Sequence, residues 1–220
     1  MIHLTLPQEG KSSLRVLCLG AHSDDIEIGC GGTLLHLRKA YPGLKLHWVV
    51  LSAAGTRKKE AAKSAELFTA GCKSEVELKE FRDGFLPYDG ASVKLFFEEL
   101  KTRVNPDLIF THWGNDAHQD HRITSELTWN TFRNHLILEY EIPKYDGDMG
   151  RPYLFVPLDT LLCEEKVSHL LTAFESQSSK HWFDRETFLS LMRIRGMEVN
   201  APSGYAEAFY ARKVSLQAFS

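Results

Sequence analysis

Four cysteines in 220 residues are too few and too scattered to staple a fold: Cys18, Cys30, Cys72 and Cys163 contain no C-x-x-C pair. That spacing argues against a cysteine-based zinc site and fits a reducing compartment, so the cytoplasm is the expected location. Long apolar runs are missing as well, and none reaches the length of a membrane-spanning helix. The opening stretch MIHLTLPQEGKSS has neither the basic start nor the apolar run of a secretory leader. Charge of one sign is not in excess. Lys and Arg number 26 against 29 Asp and Glu, a net charge of −3 with no basic block or acidic tail. Nucleic acid and anionic membrane surfaces are therefore not expected partners. There is no internal repeat, no low-complexity segment and no linker that divides the chain, which reads as one domain over 1–220 with a core at about 14–212.

What is present is ordinary globular material, 43% apolar and 25% charged. Apolar runs at 14–20, 44–53, 75–81 and 107–112 read as strands. Amphipathic stretches at 27–40, 58–70 and 93–104 read as the helices between them. Repeated β-α-β units predict an α/β fold, a Rossmann-like and mostly parallel sheet covered by helices on both faces. The last third is less regular, with helices expected at 122–134, 164–174 and 186–195 and strands at 136–142, 153–156 and 206–214.

In such sheets ligands sit beyond the carboxyl ends of the strands. Two polar clusters fall there. LGAHSDDIEIGCGG follows the first strand and carries His22, Asp24 and Asp25; THWGNDAHQDHR follows the fourth and carries His112, Asp116, His118, Asp120 and His121. A dinucleotide site would need G-x-G-x-x-G after the first strand, but the chain has GAHSDD, whose two carboxylates would repel a pyrophosphate. The residue types suit a catalytic zinc centre, which takes three protein ligands and leaves a position for water. His22 and Asp25, at i and i+3, can point to one side of a strand-to-helix turn, and His121 can add a third ligand from the other loop. Asp24 is then free to act as general base. His118, when protonated, could stabilise an oxyanion and protonate a leaving amine. Asp120 could orient an imidazole. The bland readings are an N-cap for Asp24 or Asp25, a satisfied structural histidine for His112, a core residue for Cys30, and close helix–sheet packing for Gly31 and Gly32.

These motifs resemble those of the LmbE-like / PIG-L family of zinc-dependent N-acetylsugar deacetylases. AHSDDIE (21–27) is similar to the family's A-H-P-D-D-x-E, with Ser23 in place of proline, and HQDH (118–121) to its H-x-D-H. GTRKKEAAKSAELF (55–68) looks like the family's R-x-x-E-x-x-x-A helix, and GYAEAF (204–209) like its C-terminal Y-A-E-x-F element. The resemblance implies zinc on His22, Asp25 and His121, with Fe²⁺ or another divalent ion fitting the same donors. It implies Asp24 as base, His118 and Asp120 in supporting catalytic roles, and removal of the acetyl group from an acetamido sugar or sugar conjugate, releasing acetate and a free amine. Arg57, Arg193, Arg195, Glu207 and Trp113 are candidates to contact that substrate. By analogy with the family the chain could assemble as a homo-oligomer. The competing readings are a zinc amidase of the same fold acting on another amide, and a non-catalytic metal- or sugar-binding relative.

Overall fold

The computed structural model describes Leu6 and residues 13–215; the opening stretch read for a leader lies almost wholly outside them. In chain order the elements are β1 (Arg15–His22), α1 (Asp25–Ala40), β2 (Lys45–Ser52), α2 (Gly55–Thr69), β3 (Lys73–Leu78), α3 (Gly90–Arg103), β4 (Leu108–His112), α4 (Gln119–Thr131), β5 (Leu136–Tyr140), β6 (Leu154–Leu158), α5 (Thr160–Ala173), a 3₁₀ turn (Glu175–Gln177), α6 (Arg185–Glu198) and β7 (Tyr205–Tyr210). Each strand and helix read from the sequence is present. The shifts lie at the ends. α1 begins at Asp25, not Glu27, and α2 at Gly55, not Lys58, because polar first turns carry no apolar periodicity. The last strand stops at Tyr210, short of the expected Val214.

The sheet order is β3-β2-β1-β4-β5-β7-β6. β1 to β5 pair in parallel, and β7 runs antiparallel between β5 and β6. β1 and β4 are buried nearly throughout, as central strands covered on both faces must be. One apolar layer joins Val16, Cys18, Trp48 and Val50 to α1, α2, α5 and α6. The other joins Leu17, Leu19, Val49 and Ile109 to α3 and α4. The chain leaves β1 through α1 on one face and leaves β4 through α4 on the other. The two adjacent strands therefore part in opposite directions, and the crevice above their carboxyl ends is a topological switch point. α1 reaches it by lying very close to the sheet. A Cβ on Gly29 would fall 2.2 Å from the Tyr140 ring, and one on Gly32 2.5 Å from Leu158. Among the described residues no helix is long and apolar enough to cross a membrane.

Candidate metal centre and active site

The turn from β1 to α1 is tied off by its own side chains. The Asp25 carboxylate folds back to accept the His22 amide at 2.6 Å, which fixes both residues on one side of the turn. Asp24 occupies the N-cap position of α1 but makes no side-chain capping bond, so the capping explanation does not account for it. At the start of α4, His118 takes the N-cap position and its Nδ1 accepts the Asp120 amide at 3.2 Å. His121 is thereby aimed from the first turn of α4 toward β1.

The two motifs meet. His22 Nδ1 lies 3.2 Å from His121 Nε2 and 3.4 Å from Asp25 Oδ2, and His121 Nε2 lies 3.5 Å from Asp25 Oδ1. Donors held by a tetrahedral ion at ~2.0–2.1 Å sit about 3.3–3.4 Å from one another. The remaining ring nitrogens face carboxylates. His22 Nε2 is 3.1 Å from Asp83 and 3.3 Å from Asp120, and His121 Nδ1 is 3.0 Å from Asp116. A carboxylate on one imidazole nitrogen keeps the proton there and leaves the other as a lone pair. His22 Nδ1, His121 Nε2 and the Asp25 carboxylate thus face one another, an arrangement that a cation, or a proton shared between the rings, holds together.

The electrostatics agree. Burial alone would lower the His22 pKa, but Asp25, Asp120 and Asp83 more than reverse it and raise it well above the ordinary value. Burial would raise the Asp25 pKa, but His121, His112 and His22 hold it well below the ordinary carboxylate range. Other potential donors crowd the same volume, with His118, His112, Asp83 and Asp120 in overlapping groups within 4.8 Å. Most are already engaged: His112 Nε2 accepts the Ala21 amide, His118 Nδ1 the Asp120 amide, and Asp120 the Gly84 and Leu86 amides. Among the described residues, His22 Nδ1, His121 Nε2 and Asp25 Oδ1 carry no backbone amide, whereas Asp25 Oδ2 accepts that of His22.

Asp24 stands beside this set, 6% exposed. Burial raises its pKa, Arg57 opposes that, and Asp25 adds to it. Arg57 Nη2 donates to Asp24 Oδ1 at 2.7 Å, so the arginine expected near the substrate touches the expected base. The pKa of His118 is lowered by burial, then by His121 and His22.

The other substrate candidates are engaged elsewhere. Glu207 is buried; it accepts the Gly32 and Thr33 amides at 2.8 and 2.6 Å and pairs with Lys166 at 2.6 Å. The structure thus makes it a brace under α1, because its carboxylate ties two amides of that helix to Lys166. Arg195 grips Glu141 through two bonds of 2.7 and 2.9 Å. Arg193 lies on exposed α6 and donates to the Gly204 carbonyl. Trp113 stacks on Tyr210, with ring centroids 4.7 Å apart and planes at 9°. None of these four reaches the cluster. Cys30 is fully buried in the core.

Three contributors have no ligand or catalytic role in the sequence reading. Asp83 comes from the loop after β3 and reaches His22 although its side chain is 79% exposed. The D-G turn at the same sheet rim was the available signal. Asp116 belongs to the second cluster and had no role there; it holds His121 and is itself held by Lys144 at 3.0 Å. His112 stacks beneath His121 at 3.9 Å.

Residues 17–132, just over half of the chain, match the sequence model of the family described as PIG-L: GlcNAc-PI de-N-acetylase. Among solved structures the chain is similar to a conserved protein from Thermus thermophilus, at 21% identity over 93% of this chain and 97% of that one, TM-score 0.73. It is similar to the N,N'-diacetylchitobiose deacetylase of Pyrococcus horikoshii, at 21% identity over 90% and 83%, TM-score 0.66. It is also similar to the 4-carboxy-2-hydroxymuconate hydratase of Pseudomonas putida, at 18% identity over 94% and 99%, TM-score 0.72. These likenesses establish a shared fold, which carries more than one chemistry. The motif-bearing region decides the family: this chain belongs to the PIG-L family and is an N-deacetylase of the hydrolase class.

Proposed function

We propose that the protein removes the acetyl group from an acetamido sugar or sugar conjugate, using a divalent metal, zinc in the first instance, held by His22, Asp25 and His121. The observation that carries this reading is that two imidazole nitrogens and the Asp25 carboxylate approach one another within 3.2 to 3.5 Å, with a second buried carboxylate, Asp24, beside them. A metal there supplies a Lewis acid that polarises the acetyl carbonyl and acidifies an adjacent water. Asp24 takes the water's proton as its oxygen adds to the carbonyl carbon. The neutral His118 ring, its Nδ1 occupied by the Asp120 amide, carries its hydrogen on Nε2 and donates it to the developing oxyanion. A lowered pKa suits that role better than the charged acid read from the sequence. The proton held by Asp24 goes to the amine as the C–N bond breaks, and acetate leaves. Arg57, partly exposed, and Asp83, largely exposed, would meet sugar hydroxyls. The chitobiose deacetylase neighbour and the family match support an acetylated sugar as substrate. Four free cysteines suit a reducing location such as the cytoplasm.

The test has two parts. Bound metal is measured in wild type and in His121→Ala purified without chelator, and acetate release is screened over N-acetylglucosamine, N,N'-diacetylchitobiose and simple alkyl acetamides. About one metal per chain, lost in the variant, with release from the sugars alone, is the expected result. Equal release from alkyl amides would move the protein to a general amidase. A wild type that holds no metal when zinc is supplied would remove hydrolysis by this route.

A further inference from the structure

The region between α5 and α6, where no sequence motif stands, reaches the proposed base through three side chains. The Ser176 amide and hydroxyl both donate to Glu60, to Oε1 and Oε2, each at 2.7 Å. The same hydroxyl accepts from Gln177 Nε2 at 3.0 Å, so its own hydrogen is directed at Glu60. Glu60 Oε2 in turn accepts Arg57 Nη1 at 3.2 Å, and Arg57 Nη2 donates to Asp24 Oδ1 at 2.7 Å. The Phe174 ring lies 5.2 Å from the guanidinium carbon and limits its movement. Glu60 and Asp24 are both less than a tenth exposed.

An arginine beside one carboxylate ordinarily closes on it with both arms of its fork. Here the fork is split between two acids. Asp24 receives one hydrogen bond, and its Oδ2 makes none to another described residue. We propose that Glu60 and Ser176 are positioning residues whose work is to split this fork. They hold one arm of Arg57 away from Asp24 and so leave one carboxylate oxygen of the base open to water. Ser176 fixes both oxygens of Glu60, and without it Glu60 could turn and release Arg57. The inference rests on the reading of Asp24 as general base.

Crystal structures of zinc-loaded wild type and Glu60→Gln test the geometry, and kcat and KM for acetate release from N-acetylglucosamine test the consequence. Glutamine keeps one acceptor oxygen and no charge: when that oxygen takes the Ser176 amide, the side-chain NH2 faces Arg57 and releases its arm. In the variant both Arg57 arms should lie within about 3.2 Å of Asp24. kcat should fall about tenfold, the scale for losing a supporting partner at a metal site, with KM within about threefold of wild type and zinc content unchanged. Adding Glu60→Gln to Arg57→Ala should then cost nothing further, since the group it restrains is gone. A single Arg57–Asp24 contact in Glu60→Gln overturns the proposal, as does an effect that persists without Arg57. If Glu60→Gln does not fold, Ser176→Ala removes one hydroxyl and should move Arg57 in the same direction; an unmoved Arg57 there is equally decisive. Asp24→Asn is measured alongside. Turnover retained in it would remove the base assignment, whereas an inactive Asp24→Asn beside a fully active Glu60→Gln would remove only the positioning role.

Discussion

Charges are buried both near one edge of the sheet and above its centre, but in different company. Near β7 they come as matched pairs: Lys166 with Glu207 at 2.6 Å, and Arg195 with Glu141 at 2.7 Å. Each cation there has its anion, and the leftover valences go to backbone groups, to Glu198 and to the Tyr210 hydroxyl. Lys166 also donates to the Ile28 carbonyl, while Glu207 takes the Gly32 amide. Above β1 and β4 the balance fails. Asp25 is buried among three imidazoles, and two ring nitrogens meet across 3.2 Å. Matched burial is a brace, and unmatched burial is a site. Part of the family resemblance crosses this line: the glutamate of GYAEAF looks like a substrate group in the sequence and sits in the matched class in the structure.

The sharpest break in this comparison is at the unmatched centre. His121→Ala should lose both bound metal and all measurable deacetylation, read by elemental analysis and acetate release. Asp24→Asn should keep its metal and lose turnover by about 10²–10⁴-fold, the range for a general base; wild-type turnover would remove Asp24 from the mechanism. At the matched edge, Lys166→Met should leave Glu207 buried without its cation and destabilise the fold by about 3–5 kcal/mol in denaturant melts. Glu207→Gln added to it should restore part of that loss, and restoration of none would mean that the pair is not the brace described.

Glu27 sharpens the comparison through pH. Burial pushes its carboxyl up to about 8, the pull of Ser64 being smaller. Between the unfolded value near 4.5 and the folded value the native state binds more protons than the unfolded one, so metal-free protein should lose stability as pH rises through that window. Glu27→Gln should flatten the profile, gaining on the order of a few kcal/mol at pH 8. An unchanged slope in the variant would assign the pH dependence to other groups. The smallest effect belongs to Arg193→Ala, expected within about 0.5 kcal/mol of wild-type stability and with unchanged kcat/KM. A clear rise in KM would return Arg193 to the substrate.

Much of the architecture was legible because the apolar periodicity of β1 to β4 is strong and their crossovers repeat. The co-location of His22 with His121 followed from one rule about strand ends. What stayed hidden depends on loops with no period. Asp83 needed the path of the loop after β3. The Ser176–Glu60 contact spans 116 residues, and no local pattern points to it. Arg193, Arg195, Glu207 and Trp113 were nominated by residue type, and type does not say whether a charge or a ring already has a partner nearby.

α1 delivers Asp25 to the crevice, yet carries Gly29, Gly31 and Gly32 in its first half. Each glycine makes that stretch about 1 kcal/mol poorer as an isolated helix than alanine would, and alanine is barred at Gly29 and Gly32 by Tyr140 and Leu158. A peptide copying residues 19–32 would hold the right letters and no stable turn. The proposed metal centre is not a portable motif. Grafting it onto another scaffold would require the tight seat beneath α1 to be carried along with the ligands.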